Sequence, residues 1–449
     1  MIYDEIKNLL CVGKNLDLFI REVDEDNFSF KLIFFSSLID EYYLMELQRS
    51  LREAKEKEDV YNKLDNIKIS KSSNVDEIIL LLHEGQVGLY LVDSDYMIMV
   101  DLRKTPSRGI QEPDSEKSIR GSKEGFSELL INNISLLRIH IKSNDLIVEG
   151  LRVGKLTSTN VSLVYLNNQV DKRILSEVKK RINSLNLDSL VMVDRALEEN
   201  ILRQHKTIFP LVRYSERVDV TSLYIIRGHI AILIDTSSSC IILPISIFDH
   251  FKSVEEYTQN YIIGNFIKIL RYIGIFLSIF FIPVCYLLST NTSIINIINS
   301  QIENTSSLPL SYQFLIGYLV IELFRIANVH TPNVLSSALT LVIGIIIGEV
   351  TMSLGLFTKD VLLVLSIGTI CSFSIPSYEL SLTNRVLSLL FLIVSILFGN
   401  VGFLITLIIL FIHVVSLKPL SYPYLYPLIP LDLNSLKEKV FKNKKKKKV

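Results

Sequence analysis

The sequence predicts an α/β soluble N-terminal part made of two related subdomains, followed by an all-α multi-pass membrane domain. Three observations carry this. Charged residues crowd into residues 1–260 and nearly vanish from 272 to 417. Within the charged part, one order of strand-like and helix-like runs occurs twice. Within the uncharged part, apolar runs follow one another with short breaks. At 449 residues, the chain has room for about two to four domains.

The first subdomain is placed at 1–104. "DLFIREV" and "FKLIFFSS" read as strands, "DEYYLMELQRSLREAKEK" as a helix, and "VDEIILLLHEG" leads to the hairpin "QVGLYLVDSDYMIMVDLR". The second subdomain is placed at 142–256. It offers "DLIVEGLRVGK" and "VSLVYLNN" as strands and "KRILSEVKKRINSL" as a helix. "RALEENILRQ" follows, then "TSLYIIRGHIAILID", read as a hairpin turning at Arg227-Gly228. Strand runs rich in β-branched residues followed by 3.6-period helices support both readings.

Residues 105–141 join the subdomains. Phe126, Leu130, Ile134, Leu137 and Ile141 recur at helix spacing. Ser122 is placed as the helix cap and Glu124 in its first turn, where the helix dipole favours a carboxylate. The charges around this helix read either as a solvated linker, since exposed ion pairs contribute little, or as pairing groups.

The membrane domain is placed at 268–417 and a basic tail at 418–449. Apolar runs occupy about 272–289, 312–328, 334–357, 361–376, 386–399 and 401–417, against the roughly 20 residues a full span requires. Lys268 and Arg271 precede the first run, the loop after it has no Lys or Arg, and the chain ends "KNKKKKKV". Basic flanks stay cytosolic, so both ends are expected on the cytosolic side with an even number of crossings, four or six. Lys444-Lys448 can hold anionic lipid or act only as a stop signal. Ionisable residues inside the apolar runs mark candidate sites, because their burial is costly. Glu322 and Arg325 are spaced to pair on one helix face. Gly344 and Gly348 read as a small-xxx-small helix contact beside Glu349. Pro332 and Pro376 break helices nearby and can expose carbonyls to a cavity. Glu349 reads either as a pore carboxylate or as a packing bridge to Arg325.

Composition excludes several functions. Lys+Arg and Asp+Glu both number 47, and without a basic face nucleic acid is not an expected partner. Cys11, Cys240, Cys285 and Cys371 lie far apart, so no disulfide framework or zinc spacing follows. The acid-bearing N-terminus is not expected to be a signal peptide. The seven histidines form no motif and no nucleophile pattern is present. No enzyme activity, cofactor or metal is expected.

Several stretches, in order from about residue 15 to 430, resemble the GerA family of spore germination proteins. "EPDSEKSIRGSKEGFSELLINNISLLR" is similar to a family stretch with Glu-Pro, Arg-Gly-Pro, Gly-Phe, an acidic residue and Thr-Asn. This carries Glu112, Arg120, Gly121, Gly125, Phe126, Glu128 and Asn133 as motif residues. "IFPLVRYSERVDV" resembles Phe-Pro followed by Thr-Glu-Arg-Pro-Asp, and carries Pro210, Glu216, Arg217 and Asp219. "RGHIAILID" and "GEVTMSLGL" have counterparts too. Ser122, Ser215 and Val218 depart from the pattern. "LFRIANVHTP", "FSIPSYEL" and "PLIPLDL" look more like the branch called stage V sporulation protein AF than like receptor A subunits. These departures remove support for direct nutrient sensing and leave a germination role intact.

The resemblance implies a subunit of a homo-oligomeric, ion-conducting or channel-gating complex in the spore inner membrane, acting with other germination membrane proteins in cation release. It also implies that Arg120, Arg138, Glu216, Arg217 and Asp219 form Arg–carboxylate pairs, with Arg120 reaching Glu216 or Asp219, which tie the subdomains or neighbouring protomers together. A secondary transporter and a non-conducting scaffold are the alternatives.

Overall fold

The computed structural model describes residues 2–25, 28–53, 68–92, 94–104, 113, 116, 120–185, 187–188, 193–202, 207–290, 306–330 and 340–440. They divide into two compact units. One comprises Met1–His205, Val212–Ile245 and Pro419–Ser421, the other Lys206–Leu211, Ser246–Lys418 and Tyr422–Val449.

The first unit contains two five-stranded antiparallel sheets. Strands β1 (Leu18–Glu25), β2 (Phe28–Phe35), β3 (Ile69–Ser72), β4 (Gln86–Leu91) and β5 (Met97–Asp101) lie in the order β1-β2-β4-β5-β3. Strands β6 (Leu146–Val153), β7 (Thr159–Leu166), β8 (Arg213–Ser215), β9 (Ile230–Ile234) and β10 (Cys240–Leu243) lie in the order β6-β7-β9-β10-β8. The helices are α1 (Ile2–Leu9), α2 (Glu41–Arg52), α3 (Val75–His83), α4 (Leu130–His140), α5 (Lys172–Asn183), α6 (Val193–Leu202) and α7 (Val218–Ile226). Both halves therefore follow one ββαβαββ path, with α6 inserted in the second. The two related subdomains are a repeat of topology.

Alternation along the strands explains the layering. In β2, Phe30, Leu32 and Phe34 join a core with Leu44, Leu47 and Leu51 of α2. Ile33 and Phe35 face the opposite way, onto Ile6 of α1 and Ile78 and Leu82 of α3. The first sheet is thus covered on both faces. The second sheet packs one face against α4 and α7, through Ile134, Leu137, Val218 and Ile225.

Two expectations are corrected here. "TSLYIIRGHIAILID" is not a hairpin. Its first half lies in α7, because Val218, Thr221, Ser222 and Ile225 return to one buried face at helical spacing. Burial of that face overrides the strand preference of its β-branched residues. The hairpin is β9–β10, so α7 corresponds to α3. The helix of the joining strip begins only at Leu130, with Leu129 as N-cap. Ser122 does not cap it and Glu124 is not in its first turn. Instead Gly125 bridges Arg217 in strand fashion, and the Phe126 N–H donates to the Glu216 carbonyl at 2.8 Å. The face expected to be apolar is nevertheless buried, with Phe126, Leu130, Ile134, Leu137 and Ile141 all in one cluster.

The second unit is helical: α8 (Tyr261–Thr290), α9 (Leu310–His330), α10 (Thr340–Ser353), α11 (Lys359–Phe373), α12 (Tyr378–Ser416) and α13 (Leu433–Val440). Among the described residues, α8, α9 and α12 are long and apolar enough to cross a membrane. Contacts fix the direction of each helix. Gly274 and Gly368 bring α8 and α11 together antiparallel, through Ser374 and Ile282. Tyr286 at the end of α8 meets Phe314 at the start of α9, with ring centroids 5.6 Å apart. The chain then returns through α10, since the Gly355 carbonyl accepts from the Ser307 N–H at 2.9 Å. Helix α12 folds back on itself at Gly399, which has φ 60° and ψ −146°. The Phe391 and Phe403 rings lie 5.2 Å apart, whereas twelve residues of straight helix span about 18 Å. Residues 378–398 and 400–416 are therefore a helical hairpin.

Gly85 and Gly228 occupy matching places in the repeat, after α3 and α7, with φ +88° and +89°. A Cβ there would stand 2.7 Å from the Leu38 carbonyl oxygen and 2.6 Å from that of Gln169. Gly85→Ala and Gly228→Ala are each expected to destabilise the first unit by about 1–2 kcal/mol from the left-handed backbone alone, and by more from the overlap. Denaturant unfolding of each variant checks this.

Candidate functional site

The first candidate region lies where the joining strip meets the two sheets. Arg138, on the buried face of α4, is fully buried along with its partner Asp17. Its Nε donates to Asp17 Oδ2 at 2.5 Å and its Nη2 to Oδ1 at 2.6 Å, in a bidentate fork. Nη2 also reaches Asn15 Oδ1 at 3.2 Å, and Ser37 Oγ donates to Asp17 at 2.6 Å. Asn15 and Leu16 then stitch onto Val148 of β6, through N–H···O bonds of 2.9 and 2.8 Å. One ion pair thus links the entry of the first sheet to the helix packed on the second. Bidentate Arg–carboxylate geometry fixes orientation as well as adding energy.

Phe35 packs under this pair, its centroid 4.2 Å from Arg138 Cζ, and stacks on His83 at 5.0 Å. His83 Nε2 lies 3.0 Å from Asn144 Oδ1, so Nε2 carries the proton. Burial, with the neighbouring Arg138 charge adding to it, holds the His83 imidazole down to about 4.

A second set of pairs pins the strip. Arg217, the buried N-cap residue of α7, grips Asp219 with Nε at 3.0 Å and Nη2 at 2.8 Å. It also donates to the carbonyls of Glu116, at 3.2 Å, and Ser122, at 2.7 Å. Arg213 Nη2 and Ser215 Oγ hold the two carboxylate oxygens of Glu116, at 2.8 and 2.5 Å. Asn133 returns to the strip, accepting from the Ser127 N–H at 2.8 Å and donating to its carbonyl at 2.6 Å. Gly121 turns the strip with φ +124°. The Glu128 carbonyl accepts from Thr236, while its side chain is exposed.

The expected Arg120 pairing does not form. Arg120 is exposed and has no ion-pair partner among the described residues. Arg217, two residues from Asp219 on the same turn, already holds that carboxylate, and Glu216 meets the strip through its backbone. Glu112 lies outside the described residues. Asp17, Glu116 and Arg213 were not singled out as site residues. No spacing in the sequence ties residue 17 to 138 or 116 to 213.

In the second unit, the Pro210 carbonyl accepts from His250 Nε2 at 3.2 Å, and Nδ1 lies 3.0 Å from Ser377 Oγ. Pro376 lies in the turn between α11 and α12, where Ser377 caps α12. Glu322 and Arg325 pair as spaced, with Arg325 Nε 3.0 Å from Glu322 Oε2. The proposed bridge from Glu349 to Arg325 is not made, since Arg325 is taken by Glu322. Glu349 is exposed on a π-helical turn, Ile346–Val350, with no partner among the described residues. The small-residue contact is corrected too. A Cβ at Gly344 or Gly348 would meet no atom within 4 Å, and the close helix contacts are made by Gly274, Gly317 and Gly368. Pro332 and Lys444-Lys448 lie outside the described residues.

Removing one member of the buried pair, by Arg138→Met or Asp17→Asn, is expected to cost about 3–5 kcal/mol, because the other charge is left uncompensated. Arg138→Met with Asp17→Leu should cost less than the two single losses added, as a double-mutant cycle will show. His83 gives a pH prediction. The unfolded imidazole binds a proton below pH 6.5, the folded one only below about 4. Stability should therefore fall as the pH drops from 6.5 to 4, by about 3 kcal/mol, with no further loss from this group below that window. In His83→Gln this slope should disappear from unfolding measured across the window.

The pattern of the family described as Bacillus/Clostridium GerA spore germination protein fits residues 4–449. Stage V sporulation protein AF of Bacillus subtilis (strain 168) is 34% identical over 440 residues, covering 96% of this chain and 89% of that protein. Spore germination protein KA of the same organism is 28% identical, covering 96% of this chain and 82% of that protein. A crystal structure of the N-terminal domain of the A subunit of the Bacillus megaterium spore germinant receptor GerK3 is also similar, at 22% identity and TM-score 0.42, covering 54% of this chain and 92% of that one. With its pattern matched from residue 4 to the last residue, the chain belongs to the GerA spore germination protein family.

Proposed function

We propose that this chain is a membrane subunit of a spore germination complex, acting without enzymatic chemistry. Copies of it associate in the spore inner membrane so that Glu349 faces a path for cations. The N-terminal unit and the basic tail lie on the cytosolic side. Family membership supports the germination role, and relatives named as spore germination proteins cover nearly the whole chain. The topology follows from basic flanks resisting translocation. Lys268 and Arg271 at the start of α8 pair with Glu256, and basic flanks at both ends call for an even number of passes.

One observation carries the conduction reading. Glu349 is an unpaired carboxylate on an apolar helix, on a widened π turn of the kind frequent at functional sites. Beside it a Cβ at Gly344 or Gly348 would meet no atom of the described residues within 4 Å. A carboxylate left in lipid is costly. A second copy packed on the glycine face relieves that cost, and a ring of such carboxylates attracts cations into a narrow pore. Arg325 of a neighbour cannot supply the charge in a ring whose axis follows the membrane normal. Glu349 lies one turn from the Gly355 end of the bundle, and Arg325 near the opposite end.

Glu349→Gln is expected to lower cation release from germinating spores with assembly intact, and Glu349→Lys to nearly abolish it. Release is measured beside the amount of assembled complex. Normal release in the lysine variant removes Glu349 from any ion path and leaves a scaffold. Saturable solute uptake without conductance in bilayers makes the protein a transporter.

A further inference from the structure

Within the helical unit, two guanidinium groups share one carboxylate. Glu322 Oε2 takes Arg325, and Glu322 Oε1 lies 3.9 Å from Arg385 Nε. Arg385 Nε donates to Ser372 Oγ at 3.2 Å, and its Cζ lies 5.3 Å from the centre of the Phe373 ring. The Arg385 side chain is only 9% exposed. Its Nη1 is buried and has no hydrogen-bond partner among the described residues. Two arginines and one glutamate leave a charge of +1, and a buried charge without a counter-charge is costly in this setting. A guanidinium offers five fixed donors and no acceptor, so only an acceptor relieves Nη1.

Depth narrows the choice of that acceptor. On a helix the Cα–Cβ bond tilts toward the N-terminus, which directs Arg385 back toward Tyr378. Its partner Ser372 is the penultimate residue of α11. The cluster is therefore level with the last turn of α11, at the end of the bundle where α8 begins and where Lys268 and Arg271 mark the polar flank. Phospholipid phosphates lie just outside this level of a bilayer.

We propose that Arg385, with Arg325 beside it, forms a binding site for a single oxyanion, filled by the phosphodiester of a phospholipid at this face of the membrane. A phosphodiester carries one negative charge, which neutralises the cluster, and its paired oxygens match the planar fork of a guanidinium. The site is separate from Glu349 and does not depend on conduction. A soluble phosphate or carboxylate presents the same chemistry, so the test separates the sources.

Full-length protein in mild detergent, stripped by repeated detergent exchange, is titrated with phosphatidylglycerol, with inorganic phosphate and with acetate. Melting temperature and native mass are read. Phosphatidylglycerol is expected to saturate at one per subunit and to raise the melting temperature. Arg385→Gln should weaken it about tenfold, as loss of a charge-assisted hydrogen bond implies. Arg385→Lys should fall between the two. Saturation by phosphate or acetate with no response to the lipid overturns the lipid assignment. Equal affinity in wild type and Arg385→Gln overturns the site. If the glutamine variant does not fold, the wild-type titration decides, because no saturable response to any of the three probes overturns the proposal.

Discussion

The first unit depends on one buried ion pair. Arg138 and Asp17 have no exposed surface, so their attraction is not screened, and neither charge is tolerable without the other. The pair lies where the chain of one repeat enters its sheet and the helix of the next begins. Asn15 bonds both to Arg138 and to the backbone of β6, so loss of the pair would also disturb a strand edge. His83 is kept neutral in the same neighbourhood, which keeps a second positive charge away from Arg138.

The strip between the repeats is held by the same physics. Arg217 satisfies Asp219 and two carbonyls at once, and Arg213 and Ser215 neutralise Glu116. The backbone polar groups of such a segment need partners when it lies against a sheet. Here buried arginines supply donors where strand pairing does not. Arg217 is at the centre of these bonds, and Arg120 takes no part in them.

In the helical unit polarity is placed unevenly. Ser278 and Asn384 bond between α8 and α12, and Glu322 gathers Arg325 and Arg385. Arg385 Nη1 is left there as a buried guanidinium nitrogen with no hydrogen-bond partner among the described residues. Glu349 is exposed, with no partner among the described residues. Gly274, Gly317 and Gly368 are filled by neighbouring helices, while Gly344 and Gly348 are open.

The sequence alone determined the charge asymmetry between the two units, most of the strand and helix runs and the Glu322–Arg325 pair, while it left 386–417 open as one helix or two. These are local properties, set by period, turn residues and spacing along one helix. Tertiary structure decided the rest. Whether Val218–Ile226 is strand or helix depended on which face the sheet could bury, not on its β-branched residues. Which carboxylate Arg138 takes depended on a contact across 121 residues. Which glycines pack depended on helix neighbours that no spacing names. Pairing over long separations is fixed by the fold, because a charge selects the partner that packing brings within reach, and sequence distance carries no record of it.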